Sequence, residues 1–220
     1  MRPLTERELA RGVGALCRRD RGLARVVARF GPPPLWAREP GFATLVQIIL
    51  EQQVSLAAAR AAYARLMAAA TEVTPERLAT LGAAALTSAG LTRQKSAYIR
   101  VLAQATASGA FEIGRLVSLA DGPAHAELVK LKGIGPWSAD VYLLMALGRR
   151  DVWPRHDLAL AVAMRDVKRL RSVPSHQRQL AVSETWRPWR AVAARILWHH
   201  YLSRTRPGAP ARDRARARSA

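Results

Sequence analysis

Apolar residues recur at helical spacing along almost the whole chain, and no comparable alternating run of β-branched residues interrupts them. Phe42, Leu45, Val46, Ile49 and Leu50 fall at i, i+3, i+4, i+7 and i+8, a stripe that buries one face of a helix over about residues 42–53. The same pattern predicts helices at about 5–18, 21–30, 56–70, 75–81, 92–107, 123–132, 136–147, 158–171, 175–183 and 188–203. Thr74-Pro75 supplies an N-cap followed by proline at the first helical position. Gly31, Gly90 and Gly148 sit where helices should stop. The fold class is therefore all-α. GPPPLWAREPG at 31–41 cannot join a helix, because its prolines remove donors and restrict φ, so it reads as a rigid connection and a lobe boundary.

A chain of 220 residues fits one domain or two small lobes and buries roughly 70% of its unfolded surface, so disulfides are not needed to hold it. Cys17 is the only cysteine; it excludes an internal disulfide and a four-cysteine zinc or iron–sulfur site. A reducing, cytoplasmic compartment fits that usage. No run reaches the ~18 consecutive apolar residues of a membrane span, and charges throughout the first twenty residues read as no signal or transit peptide.

Charge points to a partner. Lys and Arg number 35 against 16 Asp and Glu, a net +19, although the Arg/Ala richness also reflects what base composition can impose. A polyanion is the natural counterpart, nucleic acid before an anionic membrane surface. The stretch from Ser203 onward carries six arginines and almost no apolar side chains, and reads as disordered, either a solubilising terminus or a phosphate-binding arm.

Chemistry concentrates in residues 128–140, LVKLKGIGPWSAD, between two predicted helices. Leu128 and Leu131 give the first helix an apolar face, Gly133 and Gly135 permit a tight turn, and Pro136 suits the first position of the next helix. This is a helix–hairpin–helix. Glycine lets the backbone approach a phosphate closely, the amides around Ile134 face the anion, and Lys130 and Lys132 add charge beside them. Asp157 follows a proline-containing loop and immediately precedes an apolar helical pattern, so it is an N-cap, which for an isolated aspartate would be its whole role. His156 beside it should point away, and His199-His200 lacks the companion ligands of a zinc site.

The hairpin followed by this aspartate resembles the helix–hairpin–helix (HhH-GPD) DNA glycosylase superfamily over about residues 42–202. The stretches ILEQQVSLAAA (49–59), GIGPWSA (133–139) and WRPWRAVAARILW (186–198) are most similar to its alkylation-repair branch, DNA-3-methyladenine glycosylase II. The resemblance implies two α-helical lobes with a DNA- and base-binding cleft between them. The expected division is 1–41, N-terminal helices and connection packing on the C-terminal lobe; 42–120, a helical lobe with a wedge loop; 121–202, the hairpin and catalytic lobe; and 203–220, the basic tail.

It also implies roles. Asp157 takes the catalytic aspartate position. Trp137 stands where bifunctional members carry the lysine that attacks the sugar, which implies a monofunctional enzyme without strand nicking. Trp137 and Trp198 match aromatics that stack on a cationic base, at roughly 0.5–2 kcal/mol per contact; core packing is the alternative for both, and a weaker one for Trp137, which sits beside the hairpin turn. Val141 replaces a second pocket aromatic, and Tyr142 should point elsewhere. Gln53, with Gln52 beside it, matches the wedge that fills the gap left by an extruded base; capping the helix end is the alternative for both. Arg190 matches a pocket or phosphate contact, or is a surface arginine. A structural Na+ or K+ is implied at the backbone carbonyls of Val129, Leu131 and Ile134, with no catalytic metal and no iron–sulfur cluster. The implied partner is damaged double-stranded DNA, bound by a cytoplasmic, nucleoid-associated monomer. A same-fold enzyme for another lesion, such as a deaminated base, and a non-catalytic DNA-binding protein are the competing functions.

Overall fold

The computed structural model describes residues 3–205, and every regular element among them is helical. The described residues divide into two compact units: Ala37–Leu147 forms the first, and residues 3–36 join residues 148–205 in the second.

The second unit begins with α1 (Glu6–Arg19) and α2 (Arg21–Phe30). A reciprocal capping box between Thr5 and Glu8 starts α1, and Asp20 caps α2. The later helices of this unit are α10 (Leu158–Val167), α11 (His176–Glu184) and α12 (Arg190–Thr205). Their packing on the N-terminal pair is close enough to require glycine. A Cβ on Gly12 would lie 2.8 Å from the Trp189 ring and 2.9 Å from Val192, and one on Gly22 would lie 2.9 Å from the Val167 carbonyl. Trp186 is fully buried among these helices, beside Trp153.

The first unit holds α3 (Phe42–Glu51), α4 (Leu56–Ala70), α5 (Pro75–Thr80), α6 (Ala83–Ser88), α7 (Arg93–Ala107), a 3-10 turn (Ile113–Val117), α8 (Asp121–Val129) and α9 (Pro136–Met145). Thr74 caps α5 with Pro75 in its first turn. α3 is more deeply placed than a one-faced stripe implies: Thr44, Leu45, Val46, Ile48, Ile49 and Leu50 are all buried, because α4, α7 and α9 pack around it. A helix that is apolar nearly all round is a core helix.

Three expected boundaries move. The chain passes from the second unit to the first between Trp36 and Ala37, inside the non-helical 31–41 segment, but it returns at Leu147–Gly148 instead of near residue 120. The hairpin helices α8 and α9 therefore belong with residues 42–120 and not with Asp157; α9 packs on α3 as well as on α8, which ties the hairpin to the first unit. The stretch from Ser203 does not start a tail at once, since α12 continues through Thr205 and buried Arg204 pairs with Asp166. The remainder of that expected tail lies outside the described residues.

Candidate active site and nucleic-acid interface

The hairpin forms where α8 ends and α9 begins. Leu131 N–H donates to the Leu128 carbonyl at 3.1 Å and Ile134 N–H to the Leu131 carbonyl at 3.0 Å, which folds the turn back on itself. Ile134 is buried beneath it. Gly133 has φ +93, and a Cβ there would lie 2.3 Å from the Tyr98 ring. Gly135 has ordinary extended backbone and a Cβ there would meet nothing within 4 Å. Two glycines in one turn thus answer to different constraints. Space in front of Gly135 is open for an external group, and Gly135 is the N-cap of α9 without a side chain to occupy it.

Lys132 is exposed beside the turn, while exposed Lys130 forms a 2.7 Å ion pair with Glu127 one helical turn back. Such a pair contributes little at a surface. The carbonyls of Val129, Leu131 and Ile134 offer oxygen ligands alone, the donor type a hard monovalent cation takes. Leu131 already accepts one hydrogen bond there and keeps a second lone pair.

α9 is braced from two sides. His125 Nε2 of α8 lies 3.6 Å from Asp140 Oδ1, both largely buried, which clasps the legs of the hairpin together. Asp140 lay within the recognised motif, yet its role depends on a histidine whose position spacing alone does not reveal. Gln52, the C-cap of α3, donates through Nε2 to the Gly133 carbonyl at 2.8 Å and to Ser138 Oγ at 2.9 Å. Gln52 thus fastens the turn after α3 to the hairpin. Gln53 next to it is exposed, with φ +56, and exposed Val54 and Leu56 follow. Lys95 Nζ donates to the Leu50 carbonyl at 2.7 Å and holds the end of α3 from below. Burial lowers the pKa of that ammonium.

Trp137 occupies the first turn of α9, half-buried. Val141, one turn on, is buried. Tyr142 points elsewhere, as expected: fully buried, its hydroxyl oxygen accepts from the Gly41 amide at 3.0 Å, and burial pushes its pKa up to about 12.

In the second unit Asp157 is the N-cap of α10, 8% exposed, and Oδ1 accepts from the Leu160 amide at 2.8 Å. The bond from the Leu160 amide satisfies one of the helix's first backbone donors and fixes the orientation of the carboxylate. His156, with φ +60, stacks on His176 with ring centroids 3.8 Å apart. Leu158, immediately after Asp157, is 69% exposed. Trp198 lies on α12 at 8% exposure among buried side chains, so core packing accounts for most of its surface.

Arg190 has its partners inside the protein. Its Nε meets Asp151 Oδ1 at 3.0 Å, its Nη2 the Asp151 carbonyl at 2.6 Å, and its Nη1 Glu184 Oε1 at 2.8 Å. Arg187 bonds the same two carboxylates. Arg190 is thus a clamp at the start of α12, with its charge paired within the protein. Its partners stand 39 and 6 residues away in sequence, which is why a motif did not reveal them.

Asp20 went unassigned in the sequence. Buried at 8% exposure, it accepts from the Gly22 and Leu23 amides, from Lys168 Nζ at 2.5 Å and from Trp186 Nε1 at 2.7 Å. Burial pushes its carboxyl upward, but the Lys168 and Trp186 bonds outweigh that and hold it below the usual range. Asp before an apolar helical run signals the cap; the two distant partners carry no local signal.

Comparison with known proteins adds to this geometry. The family model of the HhH-GPD superfamily base excision DNA repair protein matches residues 46–190. DNA-3-methyladenine glycosylase 1 of Schizosaccharomyces pombe is 27% identical over 180 residues, 80% of this chain and 79% of the relative. A putative DNA-3-methyladenine glycosylase of Bacillus subtilis is 30% identical over 124 residues; the match spans 56% of this chain and 43% of that protein. Among solved structures, the Schizosaccharomyces pombe 3-methyladenine DNA glycosylase in complex with abasic DNA superposes with a TM-score of 0.79 at 27% identity, covering 86% of this chain and 95% of that one. An 8-oxoguanine glycosylase/lyase of Clostridium acetobutylicum shares the fold alone, with a TM-score of 0.74 at 17% identity.

Proposed function

The chain belongs to the HhH-GPD superfamily of base excision DNA repair proteins, and from that membership we propose that it is a monofunctional DNA glycosylase. Its substrates are alkylated purines of the 3-methyladenine and 7-methylguanine class in duplex DNA, and its product is an abasic site. It acts as a cytoplasmic monomer at the nucleoid. The observation that carries this reading is Asp157, a carboxylate held nearly out of solvent at the N-terminus of α10 and fixed by the Leu160 amide. A protein that merely bound DNA would need the hairpin and the positive charge, but not that group.

N-alkylated purines carry positive charge on the ring, so the leaving group is already activated and no strong general acid is required. What must be stabilised is the oxocarbenium character that develops on deoxyribose as the N-glycosidic bond breaks. An ionised carboxylate near the anomeric carbon does this electrostatically and orients or deprotonates the attacking water. Asp157 is suited to both tasks, since Oδ1 is engaged by the backbone and holds the group in one orientation. The nucleotide must first leave the duplex, and the exposed turn at Gln53 is the element suited to fill the gap. Trp137 supplies a half-exposed aromatic face for a cationic base. Its place in the hairpin helix, where strand-nicking relatives carry a lysine, supports base release without lyase chemistry.

Single-turnover release of 3-methyladenine and 7-methylguanine from methylated duplex DNA tests this, with strand nicking scored separately. Asp157→Asn keeps a capping side chain, so the fold should persist while base release falls by about 10²–10³ or more, the range typical of a lost electrostatic stabiliser. Release without nicking that collapses in the variant is the expected result. Binding without release of either base would sink the alkylation assignment and put deaminated bases first.

A further inference from the structure

In the second unit a groove of about 300 Å³ opens where the end of α10 meets the start of α2, and its wall is mostly cationic. Arg19, Arg21, Arg25, Lys168 and Arg169 line it, and Asp20 is its only carboxylate. Asp20 lends the opening little negative charge, because it is buried and already bonded to Lys168, Trp186 and two backbone amides. The four arginines are all exposed. Two of them are steadied by carbonyls: Arg19 Nη1 donates to Arg187 O at 3.1 Å, and Arg25 Nη2 to Val167 O at 3.2 Å. A carbonyl holds a guanidinium in place without cancelling its charge, and most of the five N–H donors stay available. The first amides of α2 are taken by Asp20, so any anion here is held by side chains.

This groove is not part of the lesion site. Asp157 caps the N-terminal end of α10, whereas Val167 and Lys168 close its other end, ten residues and about 15 Å along the helix axis.

We propose that the groove is a second phosphate-binding site, which holds the backbone of duplex DNA away from the damaged nucleotide. The inference rests on the glycosylase reading only in taking DNA as the polyanion. Guanidinium forks match phosphate oxygens in a bidentate geometry that a point charge does not. An anionic membrane is the poorer match: Val167 is the groove's one apolar side chain and it is buried, so the lining offers nothing to insert between lipids.

The test measures the affinity of the full chain for an undamaged 30-base-pair duplex across a salt series. Each phosphate contact contributes about 0.9 to the slope of log affinity against log salt. The triple variant Arg21→Gln, Arg25→Gln, Arg169→Gln should flatten that slope by about 2–3. A control triple, Arg60→Gln, Arg115→Gln, Arg178→Gln, makes the same change in net charge at exposed positions elsewhere. Should the groove triple fail to fold, Arg21→Gln with Arg169→Gln touches neither of the carbonyl-bonded arginines and should still flatten the slope by about 1.8. An unchanged slope, or an equal change in the control, overturns the proposal. Wild type that shows the groove-dependent slope but releases no methylated base would defeat the glycosylase reading and leave the groove standing.

Discussion

Gly133 and Gly135 stand two residues apart, yet different forces require glycine at each. Gly133 is demanded by the fold, through its φ of +93 and the Tyr98 ring against it; Gly135 has neither constraint. Alanine at the first should therefore cost stability, by about 2 kcal/mol or more for a strained backbone with a clash against the Tyr98 ring. Alanine at the second should leave stability within about 0.5 kcal/mol of wild type. If Gly135 is glycine because a phosphate approaches its amide, Gly135→Ala should still weaken DNA binding, by about tenfold or 1.4 kcal/mol. Urea melts and duplex binding on the two variants separate the effects. Equal binding by Gly135→Ala and wild type would remove the phosphate from that position. Sequence showed that the turn needs glycine, but not which glycine serves the fold. The distinction depends on Tyr98, 35 positions away, and no local pattern reports that contact.

At the scale of elements, helices with a cap and a clear apolar period were legible, because both signals are local. Thr74-Pro75 before α5 and Asp157 before α10 are where the sequence put them. α6 was not legible because AAALTS places a single large apolar residue, Leu86, among small ones and so shows no period. Long-range partners were illegible for the same reason, and Asp20 shows what that conceals. It joins the start of α2 to Lys168 after α10 and to Trp186 before α12. Asp20→Asn keeps a cap for α2 but discharges the contact with Lys168, and should cost about 1–3 kcal/mol at neutral pH, the worth of a hydrogen bond to a charged group. The sign with pH follows from the lowered native pKa. A group held below its unfolded value, about 3.9 for Asp, stabilises the native state above that pH and loses the contribution as pH falls through the native value. The gap between wild type and variant should thus be constant from neutral pH down to about 5 and close below about 4. Denaturation curves between pH 3 and 7 check it; a gap that closed near pH 6 would mean that a histidine, not Asp20, carries the effect.

For the whole molecule, the net charge of +19 sets two salt effects against each other. Like charges repel in the compact state, and salt relieves that repulsion as the screening length falls from about 10 Å at 0.1 M to about 3 Å at 1 M. Salt also weakens attractive pairs, including the Arg187 and Arg190 clamp on Asp151 and Glu184. The repulsion should win. Pairs at or near the surface contribute about 0–1 kcal/mol each, whereas 35 basic side chains against 16 acidic ones leave a surplus that carboxylates are too few to neutralise. The thermal midpoint should therefore rise between 50 and 500 mM sodium chloride while affinity for undamaged DNA falls steeply. Differential scanning calorimetry and duplex binding on the same samples read both. A midpoint that fell with salt would mean that the paired carboxylates, and not the surplus arginines, dominate the electrostatics of the folded chain. A surplus that destabilises the free protein and strengthens its hold on a polyanion is what DNA binding requires, because the phosphates supply the counter-charge that the chain lacks.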